Sequence, residues 1–326
     1  MIAVNFSASG KVELVERPRP SVIDPDDAVV MVTTAAIAPW DVARQTGPGT
    51  HQGRLVPGTE FAGTVHEIGS NVAHFDLGDL VIAPSAWKLP TGEYQRFGCG
   101  TLDGAHAEFV RVPNADRILV RTTPASEERS LLAGGTLGLG AHAADLAVEA
   151  CPEGVLAVVG CDPCGIGALA TLRRLRRNRF TRIFAVDQNP GRAALAKAYG
   201  AVIVDAGEAI LDGAADVVIS GAVQEGPGME CIMRAARPGG TVIFCEPYGP
   251  GLSQSVGIET RNDLTVKTAL WPDQDRVRRL AMAVQIGSID LTAAVSHVMP
   301  LDQAAAGYEA AASPAQGVVH KVLLKP

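Results

Sequence analysis

The chain has 326 residues, 47% hydrophobic and 19% charged, with a formal net charge of -7 at pH 7 and an isoelectric point near 5.5. That length accommodates two domains with a substantial core, and the acidic balance argues against nucleic acid or an anionic membrane surface as a partner. No apolar run approaches the roughly 18 residues of a spanning helix, and Met1-Ile-Ala-Val4 opens on a strand pattern instead of a basic-then-apolar leader, so a cytoplasmic protein without a membrane segment is expected.

In chain order, residues 1–120 read as short strands broken by turns. The apolar run 29–37 is one strand and the alternating run 63–68 another, while Gly69-Ser-Asn71, Leu77-Gly-Asp79 and Leu102-Asp-Gly104 are turn chemistry. From about residue 126 the pattern changes to helix, with Ser126 as N-cap. Strand and helix then alternate, the signature of an α/β fold. Residues 155–159 form a short β-branched run expected to be a buried parallel strand. It enters the turn Gly160-Cys-Asp-Pro-Cys-Gly165-Ile-Gly167, a helix is expected over 168–177, and a second apolar strand over 182–186 ends on Asp187, 22 residues past Gly165. Further parallel strands are expected over 216–220, 240–245 and 264–268, then a helix over 301–310 and a last strand over 320–324.

The order strand, glycine turn, helix, strand, Asp is that of a dinucleotide fold: a tight turn, a pyrophosphate at a helix N-terminus and a carboxylate for the ribose hydroxyls. Gly160 and Gly165 fill the outer glycine positions, but Asp162 takes the middle one. A carboxylate there adds bulk and like charge beside an anion, so weakened or rearranged pyrophosphate contacts are expected unless it points away. Asp187 favours NAD(H) over NADP(H), because it accepts from a 2′-hydroxyl and repels a 2′-phosphate; Arg192 tempers that preference. The candidate cofactor residues are Gly160, Asp162, Pro163, Cys164, Gly165 and Ile166 of the turn, Asp187, Gln188 and Arg192 after the second strand, and Ser220, Gly221, Cys245 and Glu246 at the ends of later strands. The six cysteines are scattered in apolar contexts, unlike a secreted disulfide framework. Cys161 and Cys164 have redox or zinc spacing but lie in the turn with no second ligand pair, so two small buried residues are the expected reading. The basic cluster Arg173, Arg174, Arg176, Arg177, Arg179 and Arg182 reads as a solvated helix face.

A family resemblance rests on longer motifs. Pro57-Gly-Thr-Glu-Phe-Ala-Gly-Thr-Val-His-Glu-Ile-Gly-Ser-Asn-Val72, then Gly78-Asp-Leu-Val81, Asp103-Gly-Ala-His-Ala-Glu-Phe-Val110, Arg237-Pro-Gly-Gly240 and the closing Pro300-Leu-Asp-Gln-Ala304 and Lys321-Val-Leu-Leu324 resemble the medium-chain dehydrogenase/reductase superfamily over nearly the whole chain. The resemblance implies a GroES-like, β-rich catalytic domain at 1–122, completed by about 270–326. It encloses a Rossmann domain with a doubly wound parallel sheet at 123–269. It implies an active site in the cleft between them, and a homodimer is expected.

The departures concern metal. Zinc-dependent members of the family place a Cys where this chain has Ala38, a His where it has Thr59, and a second Cys where Thr136 falls. Catalytic zinc needs about three N, S or carboxylate ligands, so no zinc is expected there. The family's structural zinc lobe has no counterpart in 85–103, where Cys99 is the single cysteine. Without a Lewis acid to stabilise an alkoxide, hydride delivery suits an activated C=C, C=N or quinone, or a carbonyl held by hydrogen-bond donors.

The candidate catalytic residues are Glu60, Thr59 and Asp41. Glu60 is a general acid/base or a stabiliser of a substrate cation, with a structural ion pair as the competing role. For Asp41 a structural role is favoured. Thr59 and Thr136 supply hydroxyl donors or fill space, and Trp40 offers an apolar wall with one N–H. Trp87, Tyr94 and Trp271 are candidate substrate-facing aromatics. His106 and His142 read as satisfied structural histidines, and His51, His66 and His74 show no ligand spacing. A zinc-independent NAD(P)H-dependent reductase of a small organic substrate is expected. Two alternatives stay open: a non-redox enzyme using bound NAD, or a non-catalytic nucleotide-binding protein.

Overall fold

The computed structural model describes residues 1–47, 55–174, 179–205, 208, 211–221, 227–245, 263–312 and 321–326. The chain starts with the antiparallel pair β1 (Ile2–Phe6) and β2 (Val12–Glu16). There follow β3 (Ala28–Ile37), α1 (Pro39–Thr46), β4 (Glu60–Ile68), β5 (Leu80–Ile82), β6 (Ala86–Lys88) and β7 (Tyr94–Arg96). Next come β8 (Phe109–Val112), α2 (Ala115–Ile118), β9 (Val120–Arg121) and α3 (Glu127–Gly134). β3 is the hub of this part. Its β-branched run pairs antiparallel with β4 and with β8, and its apolar side chains enter a core with Phe61, Phe75, Phe97, Ile118 and Leu119.

The second stretch is α4 (Thr136–Ala150), β10 (Glu153–Val159), α5 (Pro163–Arg174), β11 (Arg179–Val186), α6 (Pro190–Ala198), β12 (Val202–Ile203), β13 (Ala215–Ser220), α7 (Pro227–Ala235), β14 (Ala236–Cys245) and β15 (Thr265–Ala269). Its six strands pair in parallel in the order β12-β11-β10-β13-β14-β15. The strand order reverses between β10 and β13, so ligand chemistry in such a sheet belongs at the carboxyl ends of those two strands. The apolar faces of β10, β11, β13 and β14 share one core with α7.

The chain then returns through α8 (Gln274–Gln285), β16 (Val295–Pro300), α9 (Ala304–Ala312) and β17 (Lys321–Lys325). β17 pairs antiparallel with β3 and parallel with β16. Leu301, Tyr308, Val322 and Leu324 pack on Val4, Phe6 and Ile37, which is why the C-terminal stretch belongs with the N-terminal one. Two units result: Met1–Gly135 with Pro272–Pro326, and Thr136–Trp271. Among the described residues no single helix is long and apolar enough to cross a membrane.

Several boundaries differ from the sequence reading. The first unit runs on to Gly135 instead of 122, because α3 packs on β3, β4 and α8 and Glu127 accepts from both Thr33 and Thr34 at 2.6 Å. The helix expected from 168 starts at Pro163, so the glycine turn is shorter than the motif suggests. Ser126 stands at the N-cap of α3 without capping it; its hydroxyl turns back to Thr123. The helix expected from 301 begins with a 3₁₀ turn over Leu301–Gln303. Glu246, His51, Arg176, Arg177 and His320 lie outside the described residues.

Candidate active site

In the first unit, β17, β3 and β4 are neighbours in one sheet. Val322 lies opposite Ile37, and Ala36 opposite Glu60, so Lys321 and Glu60 reach each other across β3. The Lys321 ammonium donates to Glu60 Oε2 at 2.7 Å, with both side chains 0% exposed. Gly135 makes room for this pair, since a Cβ there would stand 2.0 Å from Glu60 Cδ. The competing role for Glu60, an ion pair, is therefore realised, and its partner was not among the sequence candidates. A signal existed: a lysine inside the apolar run Val318-Val-His-Lys-Val-Leu-Leu324.

Asp41 sits in the first turn of α1, after Pro39 at the position that tolerates proline. Its carboxylate accepts from Ala38 N at 2.9 Å and from Gly58 N at 3.1 Å. Burial raises its pKa above 3.8, against the pull of His106 and these two amides. It ties the start of α1 to the turn before β4, the structural role favoured from sequence. Gly58 holds φ +106, and a Cβ on it would come within 2.5 Å of the His106 amide nitrogen. His106 is fully buried. Its Nε2 lies 3.2 Å from Ala36 O and its Nδ1 2.8 Å from the Tyr308 hydroxyl, so Nε2–H donates to the carbonyl and Tyr308 donates to Nδ1. Burial holds the His106 pKa below 6.5 and pushes the Tyr308 phenol up.

Thr59, between this network and β4, is 2% exposed, and its buried hydroxyl has no hydrogen-bond partner among the described residues. Trp40 is half-buried, and among the described residues its indole N–H has no acceptor. The Arg96 guanidinium lies 4.0 Å over the Trp40 ring, a contact that nothing in the sequence signals. Trp87 packs on Phe97 at 4.9 Å between ring centroids and against the apolar core, while Tyr94 is 39% exposed. Among the described residues, no three His, Cys, Asp or Glu side chains converge as a metal-binding group.

In the second unit, Gly160 turns the chain out of β10 at φ +87, and a Cβ on Gly165 would strike Gly160 O at 2.1 Å. Both glycines are needed to bring the turn against α5. Asp162 Oδ1 accepts from Gly165 N at 3.1 Å, so the residue that reads as a defect in the glycine motif caps α5, with Pro163 following at its first position. The carboxylate also abuts the end of β13: a Cβ on Gly221 would approach its Oδ1 to 2.5 Å. Asp187 Oδ2 accepts from Cys161 N at 2.7 Å, its Oδ1 accepts from Asn189 N at 2.8 Å, and Arg192 Nη1 stands 3.9 Å away. Asn189 caps α6 through Gly191 N and Arg192 N. Ser220 is buried with its hydroxyl donating to Gly221 O, while Gln188 is exposed. Ile166 and Cys245 are buried. Cys161 and Cys164 are free and buried; burial, then Asp187, pushes the Cys161 thiol far up, so a reactive thiolate is disfavoured there. Thr136 is buried at the start of α4, His142 Nδ1 bonds Leu270 O at 2.8 Å, and Trp271 is half-buried.

Comparison with known proteins places this geometry. The alcohol dehydrogenase GroES-like domain family matches residues 24–123. A probable zinc-binding alcohol dehydrogenase of Mycobacterium tuberculosis is 31% identical over 337 aligned positions, spanning 95% of this chain and 85% of that protein. An alcohol dehydrogenase of Cupriavidus necator is 29% identical over 100% of this chain and 99% of its own length. Among solved structures, the alcohol dehydrogenase of Thermus sp. ATN1 superposes with a TM-score of 0.81 at 26% identity, covering 100% of this chain and 99% of that one.

Proposed function

Because the chain belongs to the medium-chain dehydrogenase/reductase superfamily and is an NAD(P)-dependent, alcohol dehydrogenase-like oxidoreductase, we propose that it reduces an activated C=C, C=N or carbonyl bond of a small organic substrate without zinc. The donor set carries this reading. Ala38 offers no ligand atom, Thr59 and Thr136 offer neutral hydroxyls, and the Glu60 carboxylate is taken by Lys321. A divalent zinc ion asks for about three thiolate, imidazole or carboxylate ligands, and these residues do not fit it, so no step is routed through a metal.

Bound NAD(P)H supplies the hydride. The turn Gly160–Ile166 and the N-terminus of α5 would hold the pyrophosphate, with Ser220 and Gly221 across the strand-order reversal. Asp187 would accept from the adenosine ribose and so would favour NAD(H). In the first unit, the Thr59 hydroxyl donates to the substrate atom that gains electron density. Glu60 balances charge at the reacting centre, fixed by Lys321, and Asp41 positions the α1 start. Elemental analysis of the purified protein together with turnover before and after chelation tests the reading. Substoichiometric zinc and unchanged turnover are expected; about one zinc per chain, with activity lost on its removal, overturns it.

A further inference from the structure

Among the buried donors of the first unit that lack acceptors within the described residues are Thr59 Oγ1, Trp40 Nε1 and Arg96 Nη1. They share one neighbourhood. Arg96 lies over the Trp40 ring. Asp41, next to Trp40, binds the amide of Gly58, next to Thr59. Gly98, two residues past Arg96, stands against Pro57 and Gly58, where a Cβ on it would lie 3.3 Å from Gly58 N. Arg44 fastens the same Gly98 carbonyl to α1.

We propose that Arg96 and Trp40 seat the carboxylate of the substrate beside Thr59, and that the enzyme acts on small monoanionic carboxylic acids bearing the reducible bond. The inference rests on the reductase reading above and deepens it.

Stacking on Trp40 satisfies the face of the guanidinium but leaves its in-plane N–H groups to find acceptors. Those groups are built to meet a carboxylate side by side. Among the described residues no carboxylate does so: Arg96 makes no ion pair or hydrogen bond there, and burial lowers its pKa. Fully buried Lys321 is matched by Glu60 and partly buried Arg111 by Asp27, whereas Arg96 is a half-buried positive charge without an ion pair among the described residues. Water can satisfy the hydrogen bonds but cannot supply a counter-charge. A monoanion does both, whereas a dianion overcompensates one guanidinium. Trp40 and Arg96 only donate, so the ligand presents acceptors, and the Thr59 hydroxyl is left for the reducible bond beside the carboxylate. Arg96 comes from the β6–β7 hairpin and Trp40 from α1, so two separate elements frame the seat.

The test uses the full chain and three 2-oxo acids (pyruvate, 2-oxobutanoate and benzoylformate) beside their methyl esters. Binding is followed by tryptophan fluorescence or calorimetry, and NADH consumption is measured separately. The expected result is that at least one acid binds about tenfold or more tighter than its ester. Arg96→Gln should shrink that ratio to near one with an unchanged unfolding midpoint, and Arg96→Lys should keep part of it. Equal binding of acid and ester, no saturable binding of any acid, or an undiminished ratio in Arg96→Gln overturns the proposal. If Arg96→Gln fails to fold, Trp40→Phe serves instead and should weaken acid binding more than ester binding; an equal loss overturns the proposal. The two readings fail separately. Acid preference without NADH consumption keeps the carboxylate seat and removes the reductase reading, whereas NADH consumption on neutral substrates without acid preference does the reverse.

Discussion

Replacing Lys321 by Met keeps the length of the aliphatic stem and removes the ammonium that faces Glu60. Both side chains are 0% exposed and 2.7 Å apart, so the variant takes the ammonium away from a fully buried carboxylate. Removing one partner of such a pair typically costs about 3–5 kcal/mol, while replacing both by apolar groups of similar volume is often near neutral. Set against a total stability of about 5–15 kcal/mol, that loss is large. With a urea m-value of about 2 kcal/mol/M, it lowers the midpoint by roughly 2 M. The double variant Glu60→Leu with Lys321→Met is expected to recover most of the loss, giving a strongly non-additive cycle. Urea titrations followed by circular dichroism, with transitions of the two units resolved, measure all three. A Lys321→Met midpoint close to wild type, or a double variant as unstable as the sum of the singles, refutes the view that the two charges depend on each other.

Other expectations follow from the same geometry. Glu60→Gln keeps the volume but strands the Lys321 ammonium, so stability should fall as in Lys321→Met; measured on protein that is still folded, turnover on the true substrate should drop by about 10²-fold or more if Glu60 balances charge in the transition state, and wild-type turnover assigns the residue to the ion pair alone. Asp162→Gly loses a helix cap worth about 1 kcal/mol but frees Gly165 N for a phosphate oxygen, so NADH should bind tighter in a fluorescence titration, and an unchanged Kd counts against competition at the α5 N-terminus. Competitive binding should favour NADH over NADPH because of Asp187; NADPH tighter by about tenfold, or 1.4 kcal/mol, hands the choice to Arg192. For His106 the folded pKa lies below 6.5, so the unfolded state takes up the proton first and stability drops as pH falls below 6.5. In His106→Gln that part of the slope should vanish when unfolding midpoints are compared between pH 7.5 and 5; parallel slopes would show that His106 does not carry it.

The periodic and punctuated parts of this chain were legible without a structure. Strand patterns at 29–37, 63–68 and 155–159, the glycine turn and Asp187 all appear as β3, β4, β10 and their ends. Each depends on alternation or turn chemistry among near neighbours. The capping role of Asp162 was legible too, since Asp followed by Pro is a helix-start signature; comparison with a glycine motif turned it into a defect. Other features had no local trace. That Lys321 meets Glu60, 261 positions apart, follows from β17 lying beside β3 and β3 beside β4, and strand order is a property of the assembled sheet. Arg96 over Trp40 arises in the same way, from a hairpin and a helix that only packing brings together. The place of α3 in the first unit was decided by its contacts with β3, β4 and α8, not by where helix pattern begins. Sequence fixes which face of an element is apolar, because that is written at periods of two or 3.6 residues. Which polar group ends up buried against which depends on the neighbour the fold supplies, and that is settled only when the elements close around a common core.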